Sequence, residues 1–207
     1  MATTVSAASV VTTAQDTSKN QGQQPSDAGH AVWQLNNDLS RLSFVVTDNP
    51  DGSSVHTFEQ LVGSIDPTGA AQVHIQLASV RTLIPAFTLS LVEWMLEAAA
   101  VTTVQVKAGL PETLSSTMSQ GAVQMLTTPA TLTIKGKVVP LQLDFAVTRI
   151  DANRLLLASA QPYVLTAAAL GAPEKINQLR QLTGLGGLSL SVPISFILVF
   201  DLQQGSS

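Results

Sequence analysis

The chain has 207 residues, enough for one domain with a tail, or two small domains at most, at roughly 100–200 residues per domain. Charged residues make up 12% against 45% hydrophobic, about half the roughly 25% charge of an average soluble domain, so an excess of apolar surface must be buried. A net charge of -4, with 10 Lys and Arg scattered along the whole length, leaves no basic patch for phosphates and excludes nucleic acid as a partner.

The absence of cysteine removes disulfides, thiolate nucleophiles, Cys-type zinc sites and iron–sulfur clusters together. The longest apolar runs, 98–106 and 186–200, are interrupted by Thr, Gln, Ser, Gly and Pro193. Neither makes the about 20 mostly apolar residues of a membrane span.

Residues 2–30 are built from Ala, Thr, Ser, Gln and Gly without aromatic residues or apolar periodicity. Such a segment cannot offset its ordering entropy and is expected to be disordered. Residues 1–30 read as a tail that follows a removed signal peptide, with Met1 in place of the cleaved export signal. Residues 31–204 form the expected domain, and the expected location is periplasmic or secreted, in a bacterium.

From Val32 the pattern becomes short strands separated by turns. Trp33 and Leu35 alternate and lead into a second run ending at Val46, and TDNPDGSS is expected to be a loop because of its Asn-Pro and Asp-Gly pairs. VHTFEQLVGSI and AAQVHIQLASV flank Asp66-Pro67-Thr68-Gly69, where Pro at the second and Gly at the fourth position specify a type I turn and hence a hairpin. In the second arm Val73, Ile75 and Leu77 alternate with His74 and Gln76, the two-residue period of a half-buried strand.

Residues 101–108 and 113–127, the latter interrupted at Gly121, read as further strands. TLTIKG and KVVPLQLDFAVTRI turn at Lys135–Lys137, with Val139, Leu141, Leu143, Phe145 and Val147 on one face. Asp151-Ala152-Asn153 then turns the chain into RLLLASAQPYVL. Helix formers at 89–100, and a segment 173–184 that opens on Pro and closes on Gly, read as two short helical insertions.

The last strand, SVPISFILVF, is apolar on both faces and is expected to be covered outside as well as inside. The fold class is therefore mainly β, a sandwich or a closed antiparallel barrel of about eight strands. Closure removes the exposed edges, and eight strands enclose room for one small ligand.

The order of these segments resembles the YceI family of lipocalin-like lipid-binding barrels from about Trp33 to Leu202. The resemblance is carried by WQLNNDLSRLSF, LVGSIDPTGAAQVHIQLASVRT, WMLEAAAVTTVQVKA, TLTIKGKVVPLQLDF and QPYVLTAAALGAPEKINQLRQLTGLGGLSLSVPISFILVF. It implies an exported carrier that holds a polyisoprenoid, an isoprenoid quinone or a fatty acyl lipid in the barrel and performs no reaction on it.

Two segments depart from the family pattern. LIPAFTLSL stands after SVRT where charged residues are usual, and alanines occupy Leu165–Gly171 where an acidic residue often precedes Phe-Gly. Both changes remove charge, which either widens an apolar mouth or creates a patch for a partner or a membrane surface.

No catalytic constellation competes with packing. His30, His56 and His74 fall in the tail, a strand start and a polar strand face, without H-x-E or H-E-x-x-H spacing, and are expected to be solvated rather than metal ligands. Serine never stands in G-x-S-x-G. Gly184, Gly186 and Gly187 follow a helix signal instead of opening one, so they read as a helix cap and turn. The acids lie mostly near turns and helix ends. No catalytic cofactor is expected.

The expected barrel lining is Val73, Ile75, Leu77, Leu143, Phe145, Phe196, Leu198 and Phe200, with Phe87, Trp94 and Met95 at the mouth. Met118 and Met125 are adaptable fillers, and Tyr163, the single tyrosine, either meets a head group or pairs with backbone. Periodicity identifies an inward face and leaves open whether it is a filled core or a cavity. The alternative function is an interaction or dimerisation module with a filled barrel and an apolar docking surface at 83–96, and a lipid-modifying enzyme comes third.

Overall fold

The computed structural model describes residues 32–49, 52–81, 103–111, 114, 118–134, 136–166, 169, 181 and 191–203. The two helical insertions expected at 89–100 and 173–184, the 83–96 surface and the 1–30 tail lie outside these residues or nearly so. Twelve strands form one antiparallel sheet: β1 (Val32–Leu35), β2 (Arg41–Asn49), β3 (Gly52–Phe58), β4 (Leu61–Ile65), β5 (Ala70–Gln76), β6 (Val80–Arg81), β7 (Thr103–Gly109), β8 (Val123–Ile134), β9 (Lys137–Asp151), β10 (Arg154–Ser159), β11 (Tyr163–Thr166) and β12 (Ser191–Gln203).

Several of these are halves of longer arms. A 3-10 turn at Asn37–Leu39 separates β1 from β2, Glu59 and Gln60 separate β3 from β4, and a second 3-10 turn at Leu77–Ser79 separates β5 from β6. Joined across these breaks, and β10 with β11, the chain is an eight-stranded meander in which β12 closes on β1 and β2. Followed around the ring from Leu202 through Trp33, Ile65, Ala71, Ala108 and Ala130, the pairing reaches Leu141 on β9. The short way through β10 instead lands at Arg149–Asp151. That stagger is the shear that closing a tilted sheet requires.

The three breaks lie side by side and crease the sheet, with side chains replacing the interrupted ladder. Asn37 Nδ2 donates to the Glu59 carbonyl and Asn37 Oδ1 accepts from the Leu61 amide, at 2.9 and 2.7 Å. Ser79 Oγ accepts from the Gln60 amide. Ser40, itself buried, takes the Val199 amide on its hydroxyl at 3.0 Å. Buried backbone groups left unpaired would each cost about 1–3 kcal/mol, so short polar residues at 36–40 let strands that alternate elsewhere turn a corner.

Turn chemistry follows the sequence at three places. The Gly69 amide bonds to the Asp66 carbonyl and Gly69 has φ 83, while Gly136 has φ 73 in the β8–β9 turn, a region that favours glycine. Asp151 opens the β9–β10 turn, accepting from the Asn153 amide at 2.7 Å.

Two expectations are corrected. The TDNPDGSS segment is strand rather than loop at both ends, since β2 pairs with β3 out to Asn49 and Gly52 and only residues 50–51 join them. The strand expected over 113–127 starts at Val123. Before it, the Leu114 amide bonds to the Pro111 carbonyl and that of Ala122 to Ser119, and the apolar residues of this stretch, Leu114 and Met118, stand four apart and are both buried in the core, a spacing that does not fit the two-residue period of a strand.

Candidate functional site

The inner faces of the strands line an apolar cavity of about 130 Å³. It arises from small residues set among large ones. Ala71 and Ala108, paired across β5 and β7, line its wall. A layer of such residues leaves space that Leu and Phe from other strands do not fill. Among the lining residues the Tyr163 hydroxyl is the only polar side-chain group.

Of the lining expected from sequence, Val73, Ile75, Leu143, Phe145, Phe196, Leu198 and Phe200 all face this cavity. Leu77 does not. It is buried in the same core, but the 3-10 turn takes it out of the alternation. Phe87, Trp94 and Met95, the expected mouth, lie outside the described residues. Met118 is buried in the core, whereas Met125 is 63% exposed on the outer face of β8, so its reading as an interior filler is corrected. The register puts Leu126, not Met125, beside Phe145.

The last strand is covered outside at Val199 but not at Ile197, which is 47% exposed. Its outer face is therefore only partly sheltered.

Among the lining residues that the sequence reading did not name, three groups stand out. Leu42 and Ile194 line the cavity from strands whose alternation is blurred by apolar residues on both faces. Ala71 and Ala108 carry no signal of their own. Leu110 lies in a connection that no periodicity reaches, yet it lines the cavity.

One end of the barrel is shut. Leu110, Leu114 and Met118 are all buried in the core cluster, and the connection that carries them is pinned to the strands. The Leu110 amide donates to the Gly69 carbonyl, Thr128 Oγ1 donates to the Gly109 carbonyl at 2.7 Å, and the Arg149 guanidinium donates to the carbonyls of Met118, Asp151 and Ala152. Nearby, Arg154 Nε and Asn36 Nδ2 each reach a different oxygen of Asp201 at 2.7 Å. The hydrogen bond from Arg154, then that from Asn36, holds the Asp201 carboxyl below the usual carboxylate range. Asp66 is lowered in the same direction, first by the Thr68 hydroxyl and then by the Ala70 amide.

Toward the other end the inner face turns aromatic. Tyr163, Ile194, Phe44 and His56 follow one another across four strands in direct register. The Phe44 and His56 rings stack with centroids 5.1 Å apart, and Phe58 lies 5.3 Å from Phe44. His56 is 1% exposed, which corrects the expectation of a solvated histidine: the break at Glu59–Gln60 sets the phase of β3 so that His56 and Phe58 face inward. His74 stays on the outer face, within 3.2 Å of Gln105. No cluster of three or more metal-ligating side chains occurs among the described residues.

With this geometry, a solved polyisoprenoid-binding domain from Saccharophagus degradans, described as implicated in plant cell wall breakdown, superposes with a TM-score of 0.78 at 26% identity, over 83% of this chain and 98% of that one. The protein's fold is YceI-like. No family model and no curated protein matches the sequence. The likeness therefore rests on the order of the strands and on their closure. The solved neighbour is described as a binding domain, with no reaction named.

Proposed function

We propose that the protein is a carrier that holds the tail of a long apolar ligand in its barrel and performs no chemistry on it. The observation that carries this reading is the apolar cavity whose described lining is hydrocarbon apart from one tyrosine hydroxyl. With almost no polar anchor, affinity has to come from contact. Each buried methylene contributes about 0.8 kcal/mol against an association cost of about 4–15 kcal/mol, so the ligand needs a chain of about ten or more methylenes. Polyisoprenoids, isoprenoid quinones and fatty acyl lipids meet that requirement, and the solved neighbour's described ligand is of the first kind.

Among the described residues the lining has no nucleophile beside a base and no pair of carboxylates, which supports binding over catalysis. The head group is assigned to the end where Tyr163 and His56 face inward, opposite the shut end. We further propose export to the periplasm or beyond, on the composition of residues 2–30, tested by fractionating cells that express the full gene.

Native mass spectrometry of protein purified from its own cells tests the carrier reading. The expected result is a mass excess of defined value that organic extraction removes and that added long-chain quinone or fatty acid restores. A bare protein mass, together with no uptake of either added lipid, contradicts it.

A further inference from the structure

The outside of the barrel differs from one side to the other. Across β4, β5, β7 and β8 the outer face is polar, with Ser64, Gln72, Lys107 and Thr131 in direct register. At the aromatic end of β11, β12, β2 and β3 it is apolar. One residue along from the inward row of Tyr163, Ile194, Phe44 and His56, the outward row reads Val164, Pro193, Val45 and Val55. Val164 pairs with Pro193 and Val45 with Val55, and Pro193 and Val45 stand one step past the Ile194–Phe44 pair.

Val164 and Val55 are 51% and 56% exposed, and Pro193 and Val45 are half-buried. An antiparallel strand with one face in water alternates apolar and polar residues, whereas a stretch that is apolar on both faces is one covered on both sides. The same stretches are nearly free of charge. Residues 42–49, 52–58, 163–166 and 191–200 contain no Lys, Arg or Glu and a single Asp, Asp48. Such a face leaves water without stripping the hydration from an ion, which fits an apolar phase and not a charged partner.

We propose that Val164, Pro193, Val45 and Val55 form a collar that docks on a lipid bilayer, seated at the boundary between head groups and acyl chains. The aromatic end then meets the membrane at which ligand is collected or delivered. The choice of a bilayer as occupant rests on the carrier reading above, since a long apolar ligand is stored in a membrane and not in water. Because the contact is apolar, it does not require anionic lipid.

Flotation of the full chain with phosphatidylcholine vesicles, with and without phosphatidylglycerol, tests the collar. The bound fraction is expected to be alike on both vesicles and to survive high salt, which screens exposed charges. Val164→Lys and Val55→Lys should each lower it by about tenfold, through lost apolar burial and the charge brought to the interface. Met125→Lys and Val138→Lys, comparably exposed elsewhere on the outer wall, should leave it unchanged. Circular dichroism checks that each variant folds, and either collar variant alone decides if the other does not. Binding confined to anionic vesicles and lost in salt, or lowered equally by all four substitutions, overturns the collar. Absence of flotation overturns it as well, and a sedimenting dimer that Val164→Lys splits would then give the face to a second copy. In each of these cases a lipid mass excess in native mass spectrometry leaves the carrier reading standing, so the two fail separately.

Discussion

The two ends of the barrel are built from different material. At the shut end, polar side chains are spent on backbone and on each other: Asp66 on Thr68 and Ala70, Arg149 on three carbonyls, Asp201 on Arg154 and Asn36, while Leu110, Leu114 and Met118 fill the space between. Toward the opposite end, Tyr163 and His56 turn polar atoms inward among Phe44, Phe58 and Ile194. A satisfied hydrogen-bond network in a partly desolvated setting fixes one arrangement. Under the proposed carrier function, the contrast places stability at the shut end and ligand recognition at the aromatic one.

The largest expected effect is on the core near the shut end. Phe200 is 1% exposed, and Phe200→Ala should cost about 3–5 kcal/mol, as for other buried Phe-to-Ala truncations, measured by urea unfolding. Phe58, only half-buried against the same core, should cost clearly less on truncation while weakening ligand uptake. Equal losses of stability at the two positions would break the comparison.

A smaller effect, and one that depends on pH, comes from Asp201 and Asp66. Both carboxyls are held below their ordinary value in the folded chain, so their stabilisation is fully present above about pH 4 and is lost as pH falls through the lower folded values. Asp201→Asn should flatten that acid loss and lower the unfolding midpoint several-fold less than Phe200→Ala does, because the ion pair with Arg154 is partly open to water. An acid profile unchanged by the substitution would remove Asp201 from the account of the shut end.

The smallest effect is expected on the outer wall. Met125→Glu should change stability by no more than about 0.5 kcal/mol, since the side chain faces solvent. A loss of several kcal/mol there would mean that the outer face is covered in solution.

How far the sequence was legible follows the same division. Strict alternation made β9 readable residue by residue, and the Asp66–Gly69 and Asp151–Asn153 turns announced themselves through side chains that bond their own backbone. Seven of the eight expected lining residues, from Val73 to Phe200, face the cavity for this reason. Leu77 and His56 were misread because the breaks at Leu77–Ser79 and Glu59–Gln60 reset the phase of the strands, and no local residue type signals such a reset. Met125 was misread because an apolar residue on an outer face carries the same letter as one inside. Leu110 and the alanines at 71 and 108 define the cavity by tertiary juxtaposition alone: one arrives from a connection, and the others matter for the atoms they lack.

Whether an apolar chain lies inside the barrel can be observed directly by nuclear Overhauser contacts between a twelve-carbon alcohol and isotope-labelled methyl groups. Contacts to Leu141, Leu157 and Leu198 inside, with none to Val55, Val62 or Val138 on the outer wall, are the predicted result. Contacts confined to the outer methyls would contradict the carrier account.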